Sequence, residues 1–219
     1  MTRSAITKLA PVILLMTSYA ITQLHATAQP PALTLASSTR VEAFEATATR
    51  AMEAFRKLAQ NEHIVIGVSG TLVGSDHTLI SVKLSHTTVE QILNAITSSD
   101  PRYTWRDTPD GAIEITIDQH AAPLLAVVVH GWTLRHALRY EITTKLANFD
   151  EINNWLRSHS CTMSEITAGA PSTEGFDIHT SASDEPLRNI LNDIARQTGI
   201  YFWSAIKYSE NRCTINLMP

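Results

Sequence analysis

The clearest pattern in the chain is a helical stripe of apolar residues that occurs twice. In the first copy, four apolar residues share one helix face, at i, i+3, i+4 and i+7: Val89, Ile92, Leu93 and Ile96. The same spacing returns 98 residues later at Leu187, Ile190, Leu191 and Ile194. Aromatic residues follow each stripe, with Tyr103 and Trp105 answered by Tyr201 and Trp203. The repetition predicts two copies of one structural unit.

Alternating apolar and polar residues flank both stripes and predict β-strands. Before the stripes, the alternating positions are Ile80, Val82 and Leu84, and then Ile178, Thr180 and Ala182. After the stripes, they are Ile113, Ile115 and Ile117, and then Cys213, Ile215 and Leu217. Asp110 and Gly111 predict a hairpin after the first stripe, because glycine takes positive φ without steric cost. Each copy therefore reads strand, helix, strand, strand.

A further strand and helix are predicted before each copy. In the first, residues 32–35 predict a short strand, Thr39 and Glu42 have capping-box spacing, an apolar stripe predicts a helix over 41–61, and residues 63–68 predict a further strand. In the second, an aliphatic run at 124–129 predicts a buried strand, and a helix begins at Thr133. This helix is expected to break near Asn148 and end at about 158, before a strand near 161–166.

The predicted fold class is therefore α+β. Two tandem βαββαββ modules, at 32–118 and 124–219, are joined by a linker at 119–123. Each module is expected to pack a small mixed sheet on two helices.

The first 28 residues have the features of a secretory signal peptide. Arg3 and Lys8 flank its start, an apolar stretch covers 9–21, and Ala26-Thr27-Ala28 is an A-x-A cleavage site. The alternative is a retained membrane anchor, which the shortness of the apolar stretch disfavours. We therefore expect a periplasmic or secreted protein of 191 residues that does not insert into the membrane after cleavage.

Charge and composition narrow the functional classes. Loss of Arg3 and Lys8 changes the net charge from −4 to −6, and no basic face is clustered, so nucleic acid is not an expected partner. A hydrophobic content of 44% argues against disorder. Motifs for a nucleophile elbow, a zinc-protease helix or a phosphate loop do not occur, so we predict no enzyme and no cofactor. His159 and Cys161 could share a metal ion with a distant ligand, but ordinary placement is the favoured interpretation.

Two pairs of residues are the remaining site candidates. Cys161 and Cys213 are the only cysteines, and in an oxidising compartment they form either a disulfide or two buried thiols that lie too far apart. Trp105 and Trp203 occupy the same place in each copy. They are either aromatic platforms for a sugar or peptide, or core residues at the start of a hairpin, and we favour the core.

The order of predicted elements resembles the short N-terminal (STN) domain shared by secretins and TonB-dependent receptors. The most similar segments are 127–129 with 133–138, and 176–178 with 186–199, the last ending in Gln197-Thr198-Gly199. The resemblance implies two tandem non-catalytic modules that dock other envelope proteins.

The sequence therefore leads to two alternative functional hypotheses. The first is an exported interaction protein whose exposed sheet edges accept a strand from a partner envelope protein. The alternative is a binder or hydrolase of a small molecule or glycan in the cleft between the modules.

Overall fold

The computed structural model of the protein describes residues 35–72, 77–118, 123–163, 176–209 and 212–218. The predicted signal peptide and residues 119–122 of the predicted linker lie outside these ranges. So do residues 32–34 of the predicted first strand and residues 164–166 of the strand predicted near 161–166. Helices and strands together form an α+β structure, which confirms the predicted fold class.

The two halves contain the same order of elements, except that two helices of the second half stand where the first half has one. After a 3-10 helix at Ala36–Ser38, the first half contains β1 (Arg40–Thr49), α1 (Ala51–Glu62), β2 (Ile66–Thr71), β3 (Ile80–Thr88), α2 (Val89–Ser99), β4 (Tyr103–Asp107) and β5 (Ile113–Ile117). After a 3-10 helix at Pro123–Ala126, the second half contains β6 (Val128–Ala137), α3 (Arg139–Ala147), α4 (Asp150–Ser158), β7 (Thr162–Met163), β8 (Phe176–Pro186), α5 (Leu187–Thr198), β9 (Phe202–Ser209) and β10 (Arg212–Met218). The break predicted near Asn148 separates α3 from α4.

The strands of the described ranges form one large sheet and two ribbons. The six-stranded sheet has the order β4-β5-β2-β9-β10-β7, and antiparallel pairs β1–β3 and β6–β8 form the ribbons. Parallel pairing of β2 with β9 joins the halves. The sheet therefore crosses the boundary predicted at 119–123, and the separate small sheet expected for each module is replaced by a shared one.

The repeated stripes lie where the spacing predicts. All four apolar residues of each stripe are buried, in α2 and α5 respectively. Thr88 and Gln91 form a capping box at the start of α2, where each side chain bonds the other residue's backbone N–H. The alternating segments lie in β3 and β8 before the stripes and in β5 and β10 after them, as predicted.

The helices predicted from 41 and from 133 are wrong at their starts. Residues 40–49 and 128–137 are instead β1 and β6, and helices begin only at Ala51 and Arg139. In β6, Leu134 and Ala137 are both buried although they are three residues apart, with His136 between them at φ +47° and a shift of the register against β8. This irregularity imitates helical spacing, and pairing with β3 or β8 overrides the local pattern. Likewise, the strand predicted at 124–129 begins only at Val128.

Two apolar cores lie on opposite faces of the large sheet. Because side chains alternate along a strand, Phe202 of β9 joins the core that contains α1 and α2, whereas Trp203 joins the core of the second half. Each ribbon contributes to the core of its own half, through Phe44 in β1 and Trp132 in β6.

Candidate functional site: an unpaired sheet edge

β4 lies at one end of the large sheet and pairs only with β5 in the described part of the chain. Hydrogen bonds from Asp118 N to Arg102 O (2.8 Å) and from Thr108 N to Ala112 O (2.8 Å) show that even-numbered residues bond toward β5. In an antiparallel pair the intervening residues point the other way. The backbone N–H and C=O groups of Trp105 and Asp107 therefore face away from β5, and we call this side of the strand the β4 edge.

Helix side chains cap backbone groups on three ribbon strands. Lys57 of α1 donates to the Glu45 carbonyl of β1 (2.6 Å), and the His130 N–H of β6 donates to Glu151 of α4 (3.3 Å). In β8, the Gln197 side chain accepts from the N–H of His179 (2.8 Å) and donates to its C=O (3.2 Å). Each capped N–H or C=O group already has a partner and is not available to bond an added strand. For Trp105 and Asp107, the described residues show no equivalent backbone cap.

The other end of the large sheet is formed by β7. This strand contains only Thr162 and Met163 and leads directly into residues outside the described ranges. In the described part of the chain, β4 with five residues is thus the longer of the two end strands.

Side chains on the helix-facing side of β4 are held in place. Trp105 is half-buried, and its Nε1 donates to Asn94 Oδ1 of α2 (2.9 Å). The Asp107 carboxylate accepts from the backbone N–H and the hydroxyl of Ser37, at 3.1 and 2.6 Å. The strand is thus presented in a defined conformation, which lowers the entropic cost of adding a partner strand.

The second predicted aromatic residue has a different environment. Trp203 is 1% exposed, and its Nε1 donates to Asn192 Oδ1 of α5 (2.8 Å). The distance between Trp203 and Asn192 in the chain, 11 residues, equals that between Trp105 and Asn94. Trp203 is a core residue and cannot serve as a surface platform, whereas Trp105 lies beside the β4 edge.

The opposite side of β4 carries a charge cluster centred on a buried carboxylate. Glu114 of β5 is 1% exposed and accepts hydrogen bonds from Nε (2.8 Å) and Nη2 of Arg106. Arg188 Nη2 of α5 lies 2.8 Å from the other carboxylate oxygen, an ion-pair contact whose geometry is not that of a hydrogen bond. Two guanidinium groups thus share one carboxylate, which leaves one excess positive charge.

A second acid–base contact lies at the tip of the β4–β5 hairpin. Asp110 accepts from Asn192 (3.0 Å) and Arg196 (2.9 Å) of α5. Burial opposes ionisation of Asp110, but hydrogen bonds from Thr108, Arg196 and Asn192 outweigh it and hold the pKa of this carboxyl below its ordinary value. Arg188, Asn192 and Arg196 therefore present one face of α5 to the hairpin. We call these three residues, together with Arg106, Asp110 and Glu114, the hairpin–α5 cluster.

Sequence reasoning missed this cluster, although part of it had a recognisable signal. In the sequence, Arg106 lies four residues before Asp110 and Glu114 lies four residues after it. A hairpin that turns at Asp110 therefore places the two side chains directly opposite each other, as the strand register shows. Arg188 belongs to the other half, and its approach depends on the pairing of β2 with β9.

The two cysteines form a disulfide. Cys161 and Cys213 are bonded with a Cα–Cα distance of 5.7 Å, which confirms the disulfide interpretation. Cys161 is therefore not a thiolate ligand, and His159 stacks on Trp155 with ring centroids 4.0 Å apart. Over the described ranges, no group of three or more His, Cys, Asp or Glu residues is placed to hold a metal ion.

Among the helices described, none combines the length and apolar character needed to cross a membrane.

Comparisons with protein-family models, with curated proteins and with solved structures return no match to this chain.

Proposed function

We propose that this chain is an exported, non-enzymatic interaction module of the cell envelope that binds an extended segment of a partner protein at the β4 edge. The observation that carries the proposal is the set of outward backbone groups at Trp105 and Asp107, on a strand whose side chains are already fixed. Main-chain hydrogen bonds to such an edge supply affinity, and the alternating side chains supply specificity.

The disulfide supports an extracytoplasmic location. Bonds of this kind persist in the periplasm and outside the cell but are rare in the cytosol. Cys161 and Cys213 are both buried, so the bond is part of the core of the second half. Together with the predicted signal peptide at 1–28, this favours export.

The order of elements supports the resemblance to the secretin and TonB-receptor N-terminal domain. In both halves, a ribbon forms from the first and third strands, and the remaining three strands enter the large sheet. We propose two STN-like units in this chain, whose partners are other envelope proteins.

The alternative, a small-molecule or glycan site between the modules, has less support. At that junction β2 and β9 are hydrogen-bonded neighbours, and the Trp203 ring lies over Gly67. A shallow cavity of about 280 Å³ lies instead between α1 and the first ribbon, where Lys57 and Lys83 line it.

Site-specific photo-crosslinking in cells that naturally produce the chain tests the proposal. A photoreactive residue at Thr104, which is exposed on β4, should give a discrete adduct with an envelope protein. The same residue at Ser85, exposed on β3, is the matched control and should not give it.

Two substitutions at Trp105 connect the adduct to strand addition. Trp105→Pro removes the outward N–H without removing a bond to β5, so it should abolish the adduct. Trp105→Ala keeps this N–H and should retain part of the yield. Equal adducts at Thr104 and Ser85, or an adduct that survives Trp105→Pro, would contradict the proposal.

A further inference from the structure

The large sheet already contains one strand that occupies the position corresponding to the β4 edge. β9 is the counterpart of β4 at the 98-residue offset, and its outer side is covered by the parallel strand β2. The bonds run from Ile66 N to Tyr201 O (2.9 Å) and from Leu72 N to Lys207 O (2.8 Å). Odd-numbered residues of β9 thus face β2, just as Trp105 and Asp107 of β4 face outward. The β2–β9 pair therefore shows how a strand fits beside β4.

The tryptophan determines which residue can stand opposite it. Trp203 is paired with Gly67, where a Cβ atom would lie 2.0 Å from Trp203 Cζ2. Trp105 and Trp203 donate to equivalent asparagines at 2.9 and 2.8 Å, so the two indoles are oriented alike. A strand added beside Trp105 must leave the same space, and only glycine provides it.

The neighbouring position favours a negative charge. In the β2–β9 register, the residue after Gly67 stands opposite Ser204, and Ser204 corresponds to Arg106 of β4. The Arg106 side chain is 62% exposed, and Glu114 is shared between it and Arg188. A carboxylate on the added strand would extend the cross-strand series Glu114–Arg106 by one residue and balance the excess positive charge.

We infer that the β4 edge binds a parallel strand of a partner protein in which glycine stands opposite Trp105 and an acidic residue follows it, opposite Arg106. The inference rests on the proposed function and specifies the partner's chemistry. A second copy of β4 does not satisfy it. If two β4 strands paired antiparallel about Trp105, Thr104 of one copy would stand opposite Arg106 of the other. If they paired antiparallel about Arg106, two arginines would stand opposite each other.

Synthetic peptides based on β2 test the inference directly. The probe is a fluorescent peptide with the sequence of residues 64–71 carrying Val68→Glu, added to the disulfide-intact mature chain and followed by anisotropy. We expect saturable binding, weakened about tenfold or more when Gly67→Val is introduced in the peptide. Replacing the introduced glutamate by glutamine should weaken binding about two- to fivefold.

Variants of the chain assign these preferences to residues. In Arg106→Gln, the glutamate and glutamine peptides should bind equally, whereas Arg106→Lys should keep the preference for glutamate. Arg135→Gln, at an exposed position on β6, is the matched control and should leave both affinities unchanged. Circular dichroism on each variant confirms that it is folded.

The outcomes separate the inference from the proposed function. Peptide binding that is lost in Trp105→Pro but shows no preference for glycine or glutamate overturns the inference and leaves strand addition standing. No binding, or binding unaffected by Trp105→Pro, also overturns the inference, while the cross-linking at Thr104 independently decides the proposed function. A dimer in analytical ultracentrifugation that Trp105→Pro dissociates would identify a second copy as the occupant and overturn the inference.

Discussion

Trp105 and Trp203 make the same local contact in two different surroundings. Each indole donates to an asparagine in the preceding helix, Asn94 or Asn192. Around Trp203 the sheet continues, with β2 on the outer side of β9, whereas β4 ends the sheet. The same tryptophan–asparagine contact can therefore lie in the core in one copy and beside an end strand in the other, depending on whether a further strand pairs there.

The disulfide distinguishes the second half most strongly. In the chain-entropy model, a bridge across 52 residues contributes about 4 kcal/mol to the free energy of unfolding. Reductant should therefore lower the urea midpoint of the wild-type chain substantially. The Cys161→Ala/Cys213→Ala variant should start at a low midpoint and not respond to reductant. An unchanged wild-type midpoint after verified reduction would contradict this prediction.

Gly67→Ala should disrupt the junction of the halves. A Cβ atom at this position would lie 2.0 Å from the Trp203 ring, so the ring or the strand must move. We expect a loss of about 1–3 kcal/mol in the free energy of unfolding, measured by urea denaturation. In a Trp203→Ala background the same substitution should cost much less, because the clashing ring is absent. Equal costs in the two backgrounds would show that the contact does not govern the junction.

The asparagines provide a direct comparison of the two sites. Asn192→Ala should cost about 1–3 kcal/mol, because it leaves the buried Trp203 N–H without its acceptor and removes a donor to Asp110. Asn94→Ala should cost about 1 kcal/mol or less, because water can reach the half-exposed Trp105. Thermal denaturation of the two variants measures the difference. Equal losses would mean that the two surroundings are energetically alike.

The hairpin–α5 cluster should make stability depend weakly on acid pH. The pKa of Asp110 is lowered in the folded chain, so its ionised form stabilises the fold above the ordinary aspartate pKa of about 3.9. This contribution is lost as pH falls from there through the lowered pKa. Urea midpoints measured from pH 6 to pH 3 should fall less in Asp110→Asn than in wild type. Arg196→Gln, which removes one stabilising donor, should behave in between, and identical slopes would argue against the cluster.

The elements that were predictable from sequence are those whose spacing is set locally. The stripes of α2 and α5 and the hairpin at Gly111 follow from regular helix and strand periods. β1 and β6 were misassigned because an irregularity at their pairing imitates helical spacing, and only the partner strand resolves it. The shared sheet was not predicted, because no local pattern states that β2 pairs with β9. Gly67 is the residue that allows this pairing, but the need for glycine at this position becomes visible only when Trp203 of the other half lies against it.

The candidate site also contains one feature that local sequence predicts and others that depend on the tertiary structure. The pairing of Arg106 with Glu114 follows from hairpin register, whereas the edge character of β4 is a property of the whole sheet. Residues on α5 reach the hairpin only after the halves have docked. Side-chain caps on ribbon strands, such as Gln197 on His179, also depend on tertiary structure.

Backbone amide hydrogen exchange at Trp105 and Trp203, measured by NMR on the isolated mature chain, distinguishes an open β4 edge from a covered one. We expect fast exchange at Trp105, whose N–H points away from β5, and slow exchange at Trp203, whose N–H faces β2. Addition of the glycine-glutamate peptide should slow exchange at Trp105 and leave Trp203 unchanged. Protection at Trp105 equal to that at Trp203 before any peptide is added would show that the edge is already covered, and would contradict the account.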